Sequence, residues 1–281
     1  MQPRKIKLIQ NASPVLEGAG VHLMRVFGYH QSPLFDPFLM LDDFRNDDPE
    51  KYLPGFPWHP HRGIETITYM LEGSAEHGDS LGNSGTIHKG EVQWMTAGSG
   101  IIHQEMPKPD ENGRMYGFQL WTNLPATQKM TQPRYRDLHA EDMPIYIHDN
   151  GASVKIICGN YMGLKGPVED LYIQPQYWDI SLPPDTSLDI STELGFCCFI
   201  YAYEGQARID GSIISNQQAV LFEDGDILKL RACENGFKLL FLLGRPLGEP
   251  VSWRGPIVMN SPEEIKQAFA ELQNGTFIKH K

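Results

Sequence analysis

No run of apolar residues in this 281-residue sequence is long enough to cross a bilayer as a helix. Basic charge is also scarce. Against 35 Asp and Glu there are 24 Lys and Arg, a formal net charge of −11, and no Lys/Arg run occurs. Nucleic-acid and anionic-membrane surfaces need a basic face, so the balance argues against both as direct partners. Cysteine is rarer still, and Cys158, Cys197, Cys198 and Cys233 never stand at CxxC spacing. They read as reduced, mostly buried thiols of a cytoplasmic protein. Cys197 and Cys198 are neighbours, and in a strand neighbours point to opposite faces, which does not suit a functional disulfide. The opening MQPRKIKLIQ is basic but lacks the apolar stretch of a secretory signal.

What the chain does have is turns and short strands. Its 27 glycines and 21 prolines punctuate segments such as GVHLMRVF, IETITYMLEG, GEVQWMTA, MYGFQLWTN, SVKIICG, LYIQPQYWDISL, FCCFIYAYEGQARI, GDILKLRA and GFKLLFLLG. Spacing this regular predicts an all-β barrel or sandwich. One helix is expected, in SPEEIKQAFAELQNG. Ser261 caps it, Pro262 suits its first position and Glu264 completes a capping box. Ile265, Ala268, Phe269 and Leu272 form its apolar stripe, and Gly275 stops it.

The chain also repeats itself. Tyr69-Met-Leu-Glu-Gly-Ser-Ala75 aligns with Tyr201-Ala-Tyr-Glu-Gly-Gln-Ala207, and Gly90-Glu-Val with Gly225-Asp-Ile. This order favours a duplicated β-domain, with a boundary in the polar stretch 125–142. The second copy carries Ser191 and Glu193 where the first carries His59 and His61, so it has lost their chemistry.

Two pairs of residues bear on what that chemistry is. In WHPHRGIETITYMLEG, His59 and His61 stand two apart around Pro60, so in extended backbone both rings leave one face. Proline is expected only at a strand's start, edge or bulge. A lone HxH is weak evidence, since two histidines hydrogen-bonded at a strand end explain it. GEVQWMTAGSGIIHQEM adds a second pair, His103 and Glu105, at the same spacing. Three nitrogens, one carboxylate and no thiolate suit iron(II), manganese, nickel or copper, with room left for substrate. The other histidines, His22, His30, His77, His88, His139, His148 and His280, have no partner at that spacing and read as surface or satisfied core.

The pattern Gly55-x-x-x-His59-x-His61-x-x-x-Glu65 with Gly73, then Gly90 and Gly98 before His103, resembles the two motifs of the cupin superfamily. FDPFLMLDDF, HPHRGIETITYMLEG and GEVQWMTAGSGIIHQEMP together resemble the pirin family over nearly the whole chain. The resemblance implies two tandem cupin (double-stranded β-helix, jelly-roll) barrels with a C-terminal helix. The expected division is a metal-binding domain over 1–135, a cupin domain without ligands over 136–260, and the helix and tail over 261–281. It implies one iron(II) ion held by His59, His61, His103 and Glu105, with manganese, nickel, copper or zinc as alternatives. Glu65, a ligand in many other cupins, is then expected to support a histidine ring from behind.

The activity implied is that of quercetin 2,3-dioxygenase, with a small planar flavonol and dioxygen as substrates. Glu105 would act as the catalytic base, and Phe56, Trp58, Met95 and Met106 would supply apolar walls. Eukaryotic pirins are also described as nuclear cofactors of transcription regulators, which implies a protein partner and a metal-dependent surface instead. A sugar isomerase, the third cupin option, needs polar walls and fits these neighbours less well.

Overall fold

The computed structural model describes residues 1–280. Strand takes up 54% of the chain and helix 9%, so the all-β expectation holds. The residues group into two units, one of 13–32, 38–140 and 247–281, the other of 1–12, 33–37 and 141–246.

In the first unit a seven-stranded antiparallel sheet runs in the order Arg134–Leu138, Val92–Thr96, Ile64–Glu72, Tyr116–Asn123, Phe38–Asp43, Val21–Phe27 and Ser13–Glu17. A four-stranded sheet runs Phe56–His61, Ile101–Lys108, Ser74–Asp79 and Ser84–Ile87. Strand Phe56–His61 is the edge of its sheet. An edge strand can leave one side of its backbone unpaired, which accommodates Pro57 and Pro60. Strand Ile101–Lys108 alternates buried and half-buried residues, so Ile101, His103 and Glu105 share the inner face. Leu39, Ile64, Met95, Ala97 and Ile101 belong to one apolar cluster of this unit, in which each buried Leu, Ile or Met side chain contributes about 1.5–3 kcal/mol.

The second unit holds a nine-stranded sheet curled around Val154, Ile156, Trp178, Ile180, Leu239 and Phe241, and a separate two-stranded sheet of Asn160–Tyr161 and Leu164–Lys165. Its interior is filled by aliphatic and aromatic side chains, and Ser191 and Glu193 are exposed. His148 is its only histidine, and bonds the Tyr161 hydroxyl at 2.8 Å. GDILKLRA and GFKLLFLLG, read separately in the sequence, form one strand, Ile227–Gly244. Gly236, at φ +74°, lies where the pairing register of that strand shifts, a β-bulge within it.

The units do not follow the sequential division at 135 and 260. Strand Ile6–Asn11 pairs with Gln218–Phe222, placing residues 1–12 in the second unit. Residues 247–281 belong to the first. Helix Pro262–Gln273 carries the expected capping box of Ser261 and Glu264. Its Ile265 and Ala268 pack with Ile257, Met259 and Phe277, and Ile102 lies against them.

Candidate metal centre

The two histidine motifs meet because their strands are hydrogen-bonded neighbours. His103 is the direct antiparallel partner of His59. A register shift follows, and Glu105 comes opposite Phe56 on one side and His77 on the other. The rings of His59, His61 and His103 have centroids 4.4–4.9 Å apart. Their nitrogens lie within 4.8 Å of one another. The Glu105 Oε2 is 4.0 Å from His103 Nε2.

Hydrogen bonds decide which nitrogen faces inward. His59 Nδ1 lies 2.9 Å from the Pro57 carbonyl oxygen and His61 Nδ1 3.2 Å from that of Pro256. A carbonyl only accepts, so each Nδ1 carries a hydrogen, and in the neutral ring Nε2 is the nitrogen left with the lone pair. His103 is fully buried with no hydrogen-bond partner on either nitrogen. Such an orphaned ring costs about 1–3 kcal/mol unless something fills it. Burial, with the neighbouring imidazoles, pushes the pKa of His61 and His103 well below the ordinary range. Neutral imidazoles with free lone pairs are what a divalent ion requires, so the residues present can hold one.

Around this cluster is a cavity of about 620 Å³, lined by Leu23, Met40, Phe44, Phe56, Met115, Trp121 and Trp253, with His59, His61, Glu105, Thr68 and Gln119 among its polar groups and Arg25, ion-paired with Glu17 and Asp42, also on its wall. Of the four expected wall residues only Phe56 lines it. Trp58 and Met106 each sit one residue from a site residue on a strand, so alternation turns them away, and Trp58 is 54% exposed. Met95 is buried in the apolar cluster with Ile64. Glu65 accepts a hydrogen bond from Thr96 at 2.6 Å, so the expected link to a histidine ring is not made. Burial holds its carboxyl above the usual range.

Three residues near the centre escaped the motif reading. Thr68 Oγ1 lies 3.0 Å from Glu105 Oε1 and 2.5 Å from Gln119 Oε1, both reaching in from the facing sheet. His77 is buried, its ring 5.4 Å from that of His103 and stacked on Tyr135. Neither ring nitrogen has a hydrogen-bond partner, and Nε2 stands 3.7 Å from Asp79. His77-Gly78-Asp79 repeats the two-residue spacing of HPH and HQE, so His77, expected to have no partner at that spacing and to be surface or satisfied, has one and is neither.

Two antiparallel barrels, one solid and one holding a three-histidine site over an apolar cavity, define a protein of two cupin domains with a metal-type centre in one. The family model described as Pirin matches residues 20–122, and that described as Pirin C-terminal cupin domain matches 177–278. A pirin-like protein of Caulobacter vibrioides is 42% identical over 99% of this chain and all of its own length. The chain belongs to the pirin family. Its fold matches a crystal structure named as quercetin 2,3-dioxygenase from Acinetobacter baumannii with a TM-score of 0.90 and 32% identity, over 98% of each chain. A bacterial pirin, YhhW from Escherichia coli, solved in complex with nickel(II), matches over 85% of this chain and 98% of its own, with a TM-score of 0.67. At 21% identity that likeness concerns the fold.

Proposed function

We propose that this protein is a metal-dependent dioxygenase that opens the ring of flavonols of the quercetin type, working in a reducing, cytoplasmic compartment. The observation that supports it best is the convergence of three imidazoles, two of which line a largely apolar, aromatic-bearing cavity together with Glu105. In this reading His59, His61, His103 and Glu105 hold one iron(II) ion. When bound, the ion would acidify a coordinated hydroxyl, and the flavonolate so formed, not the ion, is the source of the electrons that dioxygen takes up.

The protein's own groups do the rest. Phe56, Met40, Met115 and Trp121 flank a planar ring and exclude water from it. Thr68 has a single hydroxyl hydrogen, yet both its close neighbours are oxygens. With Glu105 ionised, the amide of Gln119 turns to donate to Thr68, and Thr68 donates to Glu105 Oε1. That chain orients the carboxylate and leaves Oε2 to accept the flavonol 3-hydroxyl proton. Both atoms of dioxygen enter the ring-opened ester, and one ring carbon leaves as carbon monoxide.

Metal content and oxygen uptake with a flavonol panel test this on the parent and on Glu105→Gln. The variant keeps an oxygen ligand but loses the charge that takes the proton. It should hold much of its metal and lose roughly 10²–10⁴-fold in turnover. Equal turnover at equal metal loading would remove the base role. Absence of turnover in the metal-loaded parent would leave a metal-dependent regulatory module, acting on a protein partner, as the function.

A further inference from the structure

The C-terminal segment of the first unit touches both ligand-bearing motifs. Its Pro256 carbonyl accepts from His61 Nδ1, and Val258 N donates to the Arg62 carbonyl at 3.1 Å. Arg62, the residue after HPH, is 2% exposed. Its Nε donates at 2.7 Å to the carbonyl of Ser99, in the glycine turn ahead of HQE. Another guanidinium nitrogen donates at 2.9 Å to the carbonyl of Phe277 and stands 2.7 Å from Glu271 on the terminal helix. The Phe277 ring lies 4.2 Å under the guanidinium. It also packs on Gly100, where a Cβ would stand 3.0 Å from it. One buried cation thus ties the turn after the first histidine pair, the turn before the second, and the tail.

We propose that the segment 252–278 is a working part of the metal centre. Pro256 sets the tautomer of His61, and Arg62 is the positioning residue that locks the segment against both motifs. This rests on the ligand assignment above. An imidazole that donates its far N–H to a fixed carbonyl presents its other nitrogen in one orientation, and such outer partners are worth about 10–100-fold in metal affinity. Coupling is reciprocal, so occupancy of the centre must in turn hold the segment down.

The experiment is hydrogen exchange on the unmodified protein with and without nickel(II), joined to nickel(II) affinities of variants. Nickel(II) should slow exchange in 252–260 and 274–280. Arg62→Met should weaken nickel(II) binding 10–100-fold, with Arg62→Lys between it and the parent. Glu271→Gln, which keeps the side-chain size but removes the charge beside Arg62, should weaken binding by a smaller factor, and it stands in if Arg62→Met does not fold. A purely structural clamp would lower melting temperature in these variants and leave nickel(II) affinity alone. Affinity within twofold of the parent in folded variants, or segment exchange indifferent to nickel(II), overturns the proposal. His59→Ala separates the two readings. If it loses nickel(II) while the Arg62 variants keep it, the clamp alone fails. If it binds as the parent does, the ligand assignment fails and the clamp with it.

Discussion

Lys129 offers the most quantitative test of how this fold is held together. Its side chain is almost wholly buried, at 1% exposure. The ammonium donates to the carbonyls of Gly63 at 2.8 Å and Val258 at 2.9 Å, and to the Asn123 side-chain oxygen. Burial drives its pKa from an ordinary 10.5 down to about 7, against the pull of Glu249 and Glu264. Between those two values the unfolded chain keeps a proton that the folded protein has shed, so stability rises with pH across that window. Below pH 7 both states are charged and the full burial cost is felt; above 10.5 neither is. Integrated from pH 7 to 9, starting from a half-protonated amine, the rise is about 2 kcal/mol. Lys129→Met keeps the length of the side chain but has nothing to titrate, and it strands three oxygens at about 1–3 kcal/mol each. Urea unfolding of both proteins at pH 7 and 9 is the assay. Other titrating groups cancel in the difference, so the gap between parent and variant should widen by about 2 kcal/mol at the higher pH. A gap that stays constant would show that Lys129 does not titrate in this window, and the reasoning from its burial would be wrong.

Thr68→Val preserves shape but removes the hydroxyl that donates to Glu105, so metal affinity should fall by about 10–100-fold in a competition titration. His61 and His103, buried and neutral, must be charged as the chain unfolds in acid. Metal-free protein should therefore lose about 1.4 kcal/mol per pH unit for each of them as pH falls below the ordinary histidine range, and His103→Leu should lower the measured slope by about that amount in acid titrations followed by fluorescence. At Gly63, φ is +79° and a Cβ would meet the Val258 carbonyl at 2.0 Å. Gly63→Ala should cost more than the roughly 1 kcal/mol of an ordinary left-handed alanine, seen as a lowered denaturation midpoint.

Much of this was legible locally. The strand Ile64–Glu72 and the capping box at Ser261 depend on backbone geometry within a few residues, and both appear in the structure as read. The pairs His59/His61 and His103/Glu105 are legible for the same reason, since a period of two puts each pair on one face. That period also shows why Trp58 and Met106 leave the cavity, a consequence the motif reading overlooked. Which strands become neighbours is a different matter. Ile6–Asn11 alternates half-buried and exposed residues, a pattern that fits the edge of either sheet, and its pairing with residues more than 200 positions away comes from packing. Trp253 on the cavity wall, Pro256 behind His61 and Phe277 beneath Arg62 likewise come from a remote segment whose local pattern marks nothing but a helix. Nearby spacing follows from covalent geometry and is written in any short window. The contacts that orient the imidazoles and shape the cavity join residues up to 215 positions apart, and only the fold's long-range packing brings them together.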